Sequence, residues 1–181
     1  AWFAAQVSFS QIKVVRVNSA GAVVFPYEYG GVNNDYGTHI VVDQDGNLHV
    51  LGVFRYRSTT PHDISFGSFN FTSGSTLDYG DNIVYLKIAV PLGTVLDARR
   101  TAHRMDYERP SDLAIDGNGA VYIAGYYGSS FNGSATIFGI VVPEVPDNDL
   151  NGFVAKLHPT NTWESWVRVY PNGINYSYMQ S

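Results

Sequence analysis

The chain has 181 residues, 45% hydrophobic and 15% charged, with 18 glycines and 13 tyrosines, a balance that fits a globular β-rich protein and not a disordered one. A formal charge of −5, with 11 Lys plus Arg in no run longer than Arg99-Arg100, gives no cationic footprint for nucleic acid. The absence of cysteine excludes disulfides, thiolate metal sites and cysteine catalysis, and no apolar stretch approaches the roughly 18 to 20 residues that span a bilayer.

In chain order, "AWFAAQVSF" opens without an initiator Met, a basic leader or a clear apolar signal core, so the start reads as that of a mature product or a fragment. "IKVVRVNSAGAVVFPYEYG" (12–30) follows, and it reads like 84–102 and 154–172 further on. Alternation and turn chemistry then predict strands over 38–43, 47–54, 64–71, 82–89 and 94–100. A second set follows over 111–116, 120–127, 135–142, 152–158 and 163–170. Asp45-Gly46-Asn47 and Gly117-Asn118-Gly119 are hairpin tips, since these residues tolerate positive φ at little steric cost. No window carries a convincing helical period.

The two sets are copies. "VVDQDGNLHVLG" lies on "AIDGNGAVYIAG" without a gap, placing Asp43 on Asp116 and Gly52 on Gly125, 73 positions apart. Asp35-Tyr36 and Asp106-Tyr107 precede them, Phe66-Gly67 matches Phe138-Gly139, and Lys87 matches Lys156. The segments divide as 1–34, the back half of a repeat; 35–105 and 106–173, two whole repeats; and 174–181, the start of another. Several strands, such as "HIVV", "VLGVF" and "VYIAG", are apolar at consecutive positions, which in an antiparallel meander means that both faces are covered. A repeat of about 70 residues with four or five strands is too long for a solenoid coil and fits a propeller blade with an enlarged connection. The expected fold is therefore all-β, an incomplete β-propeller of about two and a half blades. Propellers close with roughly four to eight blades, so further blades of the same chain or copies of itself are the expected partners.

These residues resemble the SBBP-type β-propeller repeat of secreted and cell-surface proteins. The second copy carries the likeness in "LAIDGNGAVYIAG", "IFG", "NDLNGFVAKLHP" and "WESWVRV", and the first in "IVVDQDGNLHVLG", "SFGSFNFTSG" and "DNIVYLKIAVPLGTVL". The first copy departs from the pattern with His49 for Tyr122, Val84 for Phe153, and Leu96 and Arg99 in the strand that carries Trp163 and Trp166 in the second. The resemblance implies a secreted or cell-surface scaffold or adhesion module, with no catalytic residue set to carry over.

Candidate chemistry is sparse. Asp43, Asp45 and Asp116 read as turn residues that cap backbone N–H groups before they read as catalytic or metal-binding carboxylates. "DNDLNG" matches the opening of a calcium loop, with Asp147, Asp149 and Asn151 as ligands for Ca²⁺, but His158 stands where the bidentate Glu belongs. His39, His49, His62, His103 and His158 show no metal spacing, with His49 expected at a core or interface. Pairs such as Glu144 with Asp147 or Asp106 with Glu108 are of a kind any acidic β-protein offers. Tyr126, Tyr127, Trp163 and Trp166 are the best candidates for binding glycans or protein, against a reading as packing between blades. Tyr126 and Tyr127 are adjacent, so only one can face the core. Asn70, Asn132 and Asn175 stand in N-x-S/T sequons, candidate glycosylation positions. The expectation is a non-catalytic scaffold without a required cofactor; the alternative is a carbohydrate-binding or carbohydrate-active propeller with its site at the channel mouth.

Overall fold

The computed structural model describes residues 2–7, 11–30, 35–56, 63–72, 80–90, 92–102, 107–128, 135–142, 150–158 and 165–170. Among them the fold is all-β, with no helix. Sheet 1 contains β1 (Trp2–Val7), β2 (Ile12–Val17) and β3 (Val23–Tyr29) in that order. Sheet 2 is the meander β4 (Tyr36–Val42), β5 (Leu48–Tyr56), β8 (Gly80–Ala89) and β9 (Thr94–Ala102). Sheet 3 repeats it with β10 (Tyr107–Ile115), β11 (Val121–Gly128), β14 (Leu150–Leu157) and β15 (Trp166–Tyr170).

Each enlarged connection folds into a hairpin where the pattern predicts one strand: β6 (Asp63–Phe66) with β7 (Phe69–Thr72), and β12 (Ala135–Ile137) with β13 (Ile140–Val142). Phe-Gly is the reason. Gly67 has φ 62°, and Phe138 and Gly139 have φ 53° and 87°, so the chain reverses at the dipeptide that both copies share. The β12–β13 hairpin pairs with β9, the outer strand of the preceding sheet.

The three main turns have one geometry. Asn18, Asp43 and Asp116 each accept on their main-chain carbonyl from the N–H of a glycine three residues on, at 3.0 Å. Those glycines, Gly21, Gly46 and Gly119, have φ between 79° and 82°. The side-chain Oδ1 accepts one or two further N–H groups, from Ala20 and Ala22, from Asn47, and from Asn118 and Ala120. These are Asx turns, and the residue type is accounted for by the backbone groups it satisfies.

The sheets stack face to face. Leu48, Val50 and Phe54 on β5, with Val84, Leu86 and Ile88 on β8, pack against Ile12 and Val14 of sheet 1. On the other face, Leu51, Ile83 and Tyr85 pack against Leu113, Val121, Ile123, Tyr127, Phe153 and Ala155 of sheet 3. Consecutive residues of β5 therefore point into different apolar layers, which explains why the strand is apolar at successive positions. Residues 73 apart occupy the same face, Leu48 with Val121 and Val50 with Ile123, so the repeat is a repeat of packing as well as of sequence. On the third strand the alignment moves by one residue: the bulges after Arg16 and after Lys87 coincide, and Ile12 takes the place of Ile83.

Two equivalent glycines set the approach of strand to strand. A Cβ on Gly52 would lie 2.8 Å from the Tyr36 carbonyl oxygen and 2.7 Å from Ile12 Cδ1, and one on Gly125 would lie 2.7 Å from the Arg109 carbonyl oxygen and 2.9 Å from Phe153 Cε1. Backbone cannot yield as a side-chain tip can. We expect Gly52→Ala and Gly125→Ala each to lower stability by about 1–3 kcal/mol in urea unfolding. Gly117→Ala, whose nearest neighbour is 3.9 Å away, should stay within about 0.5 kcal/mol of the parent.

Candidate functional site

The turns of sheets 2 and 3 lie side by side, with Gln44 Nε2 donating to the Gly117 carbonyl at 3.4 Å. Val42, Asp43, Asp45, Lys87, Ile115, Asp116 and the turn 117–119 line a groove of about 500 Å³ there. The Asx turn uses Oδ1 of each aspartate and leaves Oδ2 to reach across its sheet. Asp43 Oδ2 meets His49 Nε2 and Lys87 Nζ, both at 3.1 Å, and accepts from Asn47 Nδ2 at 3.0 Å. His49 Nδ1 lies 2.8 Å from the Tyr85 hydroxyl.

Burial alone would raise the Asp43 carboxyl, but the bonds from Asn47, His49 and Lys87 outweigh it and hold the group below the usual carboxylate range. Burial pushes His49 down, against the pull of Asp43, so the imidazole is neutral at pH 7. Nε2–H then donates to Asp43 and Nδ1 accepts from Tyr85. Carboxylate, imidazole and hydroxyl stand in the order of a proton relay, but His49 and Tyr85 are buried under sheet 3, and the chain of bonds ends inside the protein.

The copy in sheet 3 has the same geometry with different groups. Asp116 Oδ2 accepts from the Tyr122 hydroxyl at 3.2 Å, and the Lys156 ammonium lies 5.9 Å from the Tyr122 ring centroid. N–H groups of Ala120 and Asn118 lower the Asp116 pKa, with a smaller contribution from Lys156. Here the network is partly exposed. Tyr122, Ala124 and Tyr126 on β11, Val154 and Lys156 on β14, and Trp166 and Arg168 on β15 share the face of sheet 3 opposite its core. No described element packs on that face. Trp166 is 40% exposed, with the Arg168 guanidinium 5.8 Å from its ring centroid. Both residues border a groove of about 380 Å³, together with Val141, Val142, Val167 and Val169.

A third cluster joins sheet 3 to sheet 2. Glu108 on β10 is fully buried, and its Oε2 accepts from the Ile83 N–H at 3.0 Å and from the Thr101 hydroxyl. Its Oε1 has no hydrogen-bond partner. Burial pushes this carboxyl up to about 8 against those two bonds, so it is largely protonated at pH 7. The next residue, Arg109, pairs with buried Asp81. Asp35 holds the equivalent place on sheet 2: Tyr36 and Arg109 stand opposite Val53 and Tyr126, residues 73 apart, and Asp35 is fully buried beside Gly30. The ladder thus matches Asp35 with Glu108, whereas the sequence alignment had matched it with Asp106, a residue outside the described ones.

Among the predicted site residues, Tyr127 is fully buried and hydrogen-bonded to Asn151, while Tyr126 faces the other side, half-buried. Asn151 is buried with its Oδ1 unpaired. Asp147, Asp149, Trp163, Asn132 and Asn175 lie outside the described residues. Asn70 is exposed on β7, its Oδ1 accepting from Ser65 Oγ at 2.6 Å. The sequence reading named Asp43 as a turn residue and Glu108 only as one of a carboxylate pair with Asp106, and did not foresee the buried networks around them. The recurrence of an acid eight residues before the Asx-turn aspartate was the available signal.

Glu108 sets a pH dependence. Its folded pKa lies above the ordinary value of 4.5, so its contribution is fully present below pH 4.5 and is lost as pH rises toward 8. We expect the urea midpoint to fall over that range, with a slope from this group of up to about 1.4 kcal/mol per pH unit. Glu108→Gln should remove that component, and an unchanged pH profile in the variant would refute the assignment. At Asp43, by contrast, replacement by Ala should cost about 2–3 kcal/mol, since it strips the partner from a buried imidazole and an ammonium.

Compared with known proteins, the chain matches no family model and no curated protein.

Proposed function

We propose that the chain is a non-catalytic scaffold or adhesion segment of β-propeller type, secreted or at the cell surface, whose stack of sheets is continued by further sheets of the same polypeptide or of other copies. One contrast carries the reading. His49, Leu51, Val53 and Tyr85 of sheet 2 are buried on the face that receives sheet 3, whereas Tyr122, Ala124, Tyr126 and Val154 occupy the same positions of sheet 3 and stay partly exposed. Half-buried tyrosines and valine around a cation are what a docking face presents before it is covered. The Asx-turn role of Asp43 and Asp116 supports the non-catalytic part, because each carboxylate is committed to backbone and neighbouring side chains.

A second reading rests on Trp166. An exposed indole with a guanidinium over it, at the rim of a groove, is a surface on which a sugar ring can stack. That would make the chain a carbohydrate-binding or carbohydrate-active propeller.

Light scattering separates them. Under the scaffold reading the 181-residue chain self-associates with rising concentration, and Val154→Lys shifts it toward the monomer without changing its β-sheet circular dichroism. A monodisperse monomer at all concentrations would count against assembly through this face. On a glycan array the same protein should be silent, and signal abolished by Trp166→Ala would move the assignment to the second reading.

A further inference from the structure

Three groups from three strands meet where sheet 3 docks on sheet 2: the Ile83 amide of β8, the Thr101 hydroxyl of β9 and the Glu108 carboxyl of β10. The Ile83 N–H lies 2.9 Å from Thr101 Oγ1 and 3.0 Å from Glu108 Oε2, and Thr101 Oγ1 also lies 3.3 Å from the Ile83 carbonyl oxygen. All three residues are fully buried.

The number of hydrogens decides which form of the acid fits this ring. Thr101 has one hydrogen to give, and Glu108 Oε1 has no hydrogen-bond partner. As a neutral acid, Glu108 donates its own O–H from Oε2 to Thr101 Oγ1, the threonine hydroxyl turns to the Ile83 carbonyl, and the amide still meets both oxygens. Every polar hydrogen then has an acceptor, and Oε1 is left as an uncharged carbonyl oxygen. As an anion, Glu108 takes the threonine hydrogen, the Ile83 carbonyl loses that bond, and Oε1 carries part of a charge that no donor meets.

The charged surroundings agree. Burial raises the carboxyl most, to about 8, and Asp81 of β8 adds to it, while the bonds from Thr101 and Ile83 and the charge of Arg100 on β9 pull the other way. Arg109, the next residue of β10, is paired with Asp81, and Tyr127 stands opposite Glu108 on β11. The joint between sheets 1 and 2 is built differently: Ile12 and Tyr29 hold the places of Ile83 and Thr101, and the Tyr29 hydroxyl donates to the Gly93 carbonyl at 2.8 Å.

We propose that Glu108 is a proton-operated catch between sheets 2 and 3: with its proton it locks β10 onto β8 and β9, and without it the joint opens locally while each sheet keeps its own ladder. Folding raises the pKa of this group, so the lock is complete below pH 4.5 and weakens as pH rises toward 8. This goes beyond a pH-dependent stability, because the opening is confined to one joint.

Amide hydrogen exchange on the 181-residue chain, with each rate divided by the intrinsic rate at that pH, reads the joint. Ile83 protection should fall by up to about tenfold per pH unit as pH rises toward 8, while amides bonded within the β5–β8 ladder hold theirs. Glu108→Gln, whose side-chain N–H copies the acid O–H, should keep Ile83 protected throughout. Asp81→Asn removes the charge that opposes ionisation and should move the onset to lower pH. Flat Ile83 protection in the parent, the same fall in Glu108→Gln, or loss of protection at all amides together would overturn the proposal, the last because it reports unfolding and not a joint. Should the variants fail to fold, the carboxyl carbon shift of Glu108 in the parent decides the matter: a midpoint at the ordinary 4.5 would also overturn it.

Discussion

One buried amide is shared between neighbouring sheets. Ile83 N–H lies one residue before the ladder of β8 with β9 begins, so it turns toward β9 without a carbonyl to meet it. The Thr101 hydroxyl, at 2.9 Å, and the Glu108 carboxyl, at 3.0 Å, meet it instead. An unmet amide at such a depth costs as much as a good hydrogen bond is worth. One of the two groups that prevent this, Glu108, belongs to the next sheet, while Thr101 belongs to sheet 2 itself. Docking of sheet 3 thus adds a second acceptor to this amide and buries the acid that supplies it. Asp35, buried beside Gly30, stands at the equivalent place one sheet earlier.

From this constraint follows the form of the rest. Within each copy the first strand lies close on the second, where Gly52 faces the Tyr36 carbonyl and Gly125 the Arg109 carbonyl, and Gly52 also admits Ile12 of the preceding sheet. The inserted hairpin then extends the same dock outward: β12 pairs with β9, and the Phe138 N–H donates to the Arg100 carbonyl at 3.1 Å. Neighbouring sheets share hydrogen bonds at both margins and an apolar layer between them. Such a unit has little reason to be stable alone, as in other repeat architectures.

Much of this was legible in the sequence because it is written in turn chemistry and in the period of apolar residues. Asx-Gly turns and strands apolar on consecutive positions gave the meanders, their copies and the covered faces. The errors have local causes. Each Phe-Gly hairpin was read as one strand because both of its arms are apolar and glycine does not announce a positive φ. The third-strand alignment was off by one, because both strands are apolar at successive positions and tolerate a slip; the coinciding bulges after Arg16 and Lys87 fix the register. Asp35 was matched with Asp106 in place of Glu108 because a nearby "DY" imitates Asp35-Tyr36 more closely than "ER" does. Side-chain type misled there, and the ladder, which counts residues, corrected it.

The paired aspartates show what a sequence cannot hold even in principle. Asp43 and Asp116 occupy one position of one repeat, make the same turn, and point the same oxygen across the same strand. Yet Asp43 joins a buried network with a neutral histidine, while Asp116 faces a half-exposed tyrosine and groups that solvent reaches. The difference is the sheet stacked above. Electrostatics here is set by what packs above each copy: one position of the repeat is sealed in sheet 2 and partly exposed in sheet 3, where Lys156 and Trp166 share its face. The repeat places the same carboxylate in both sheets, and the layer above decides the company it keeps.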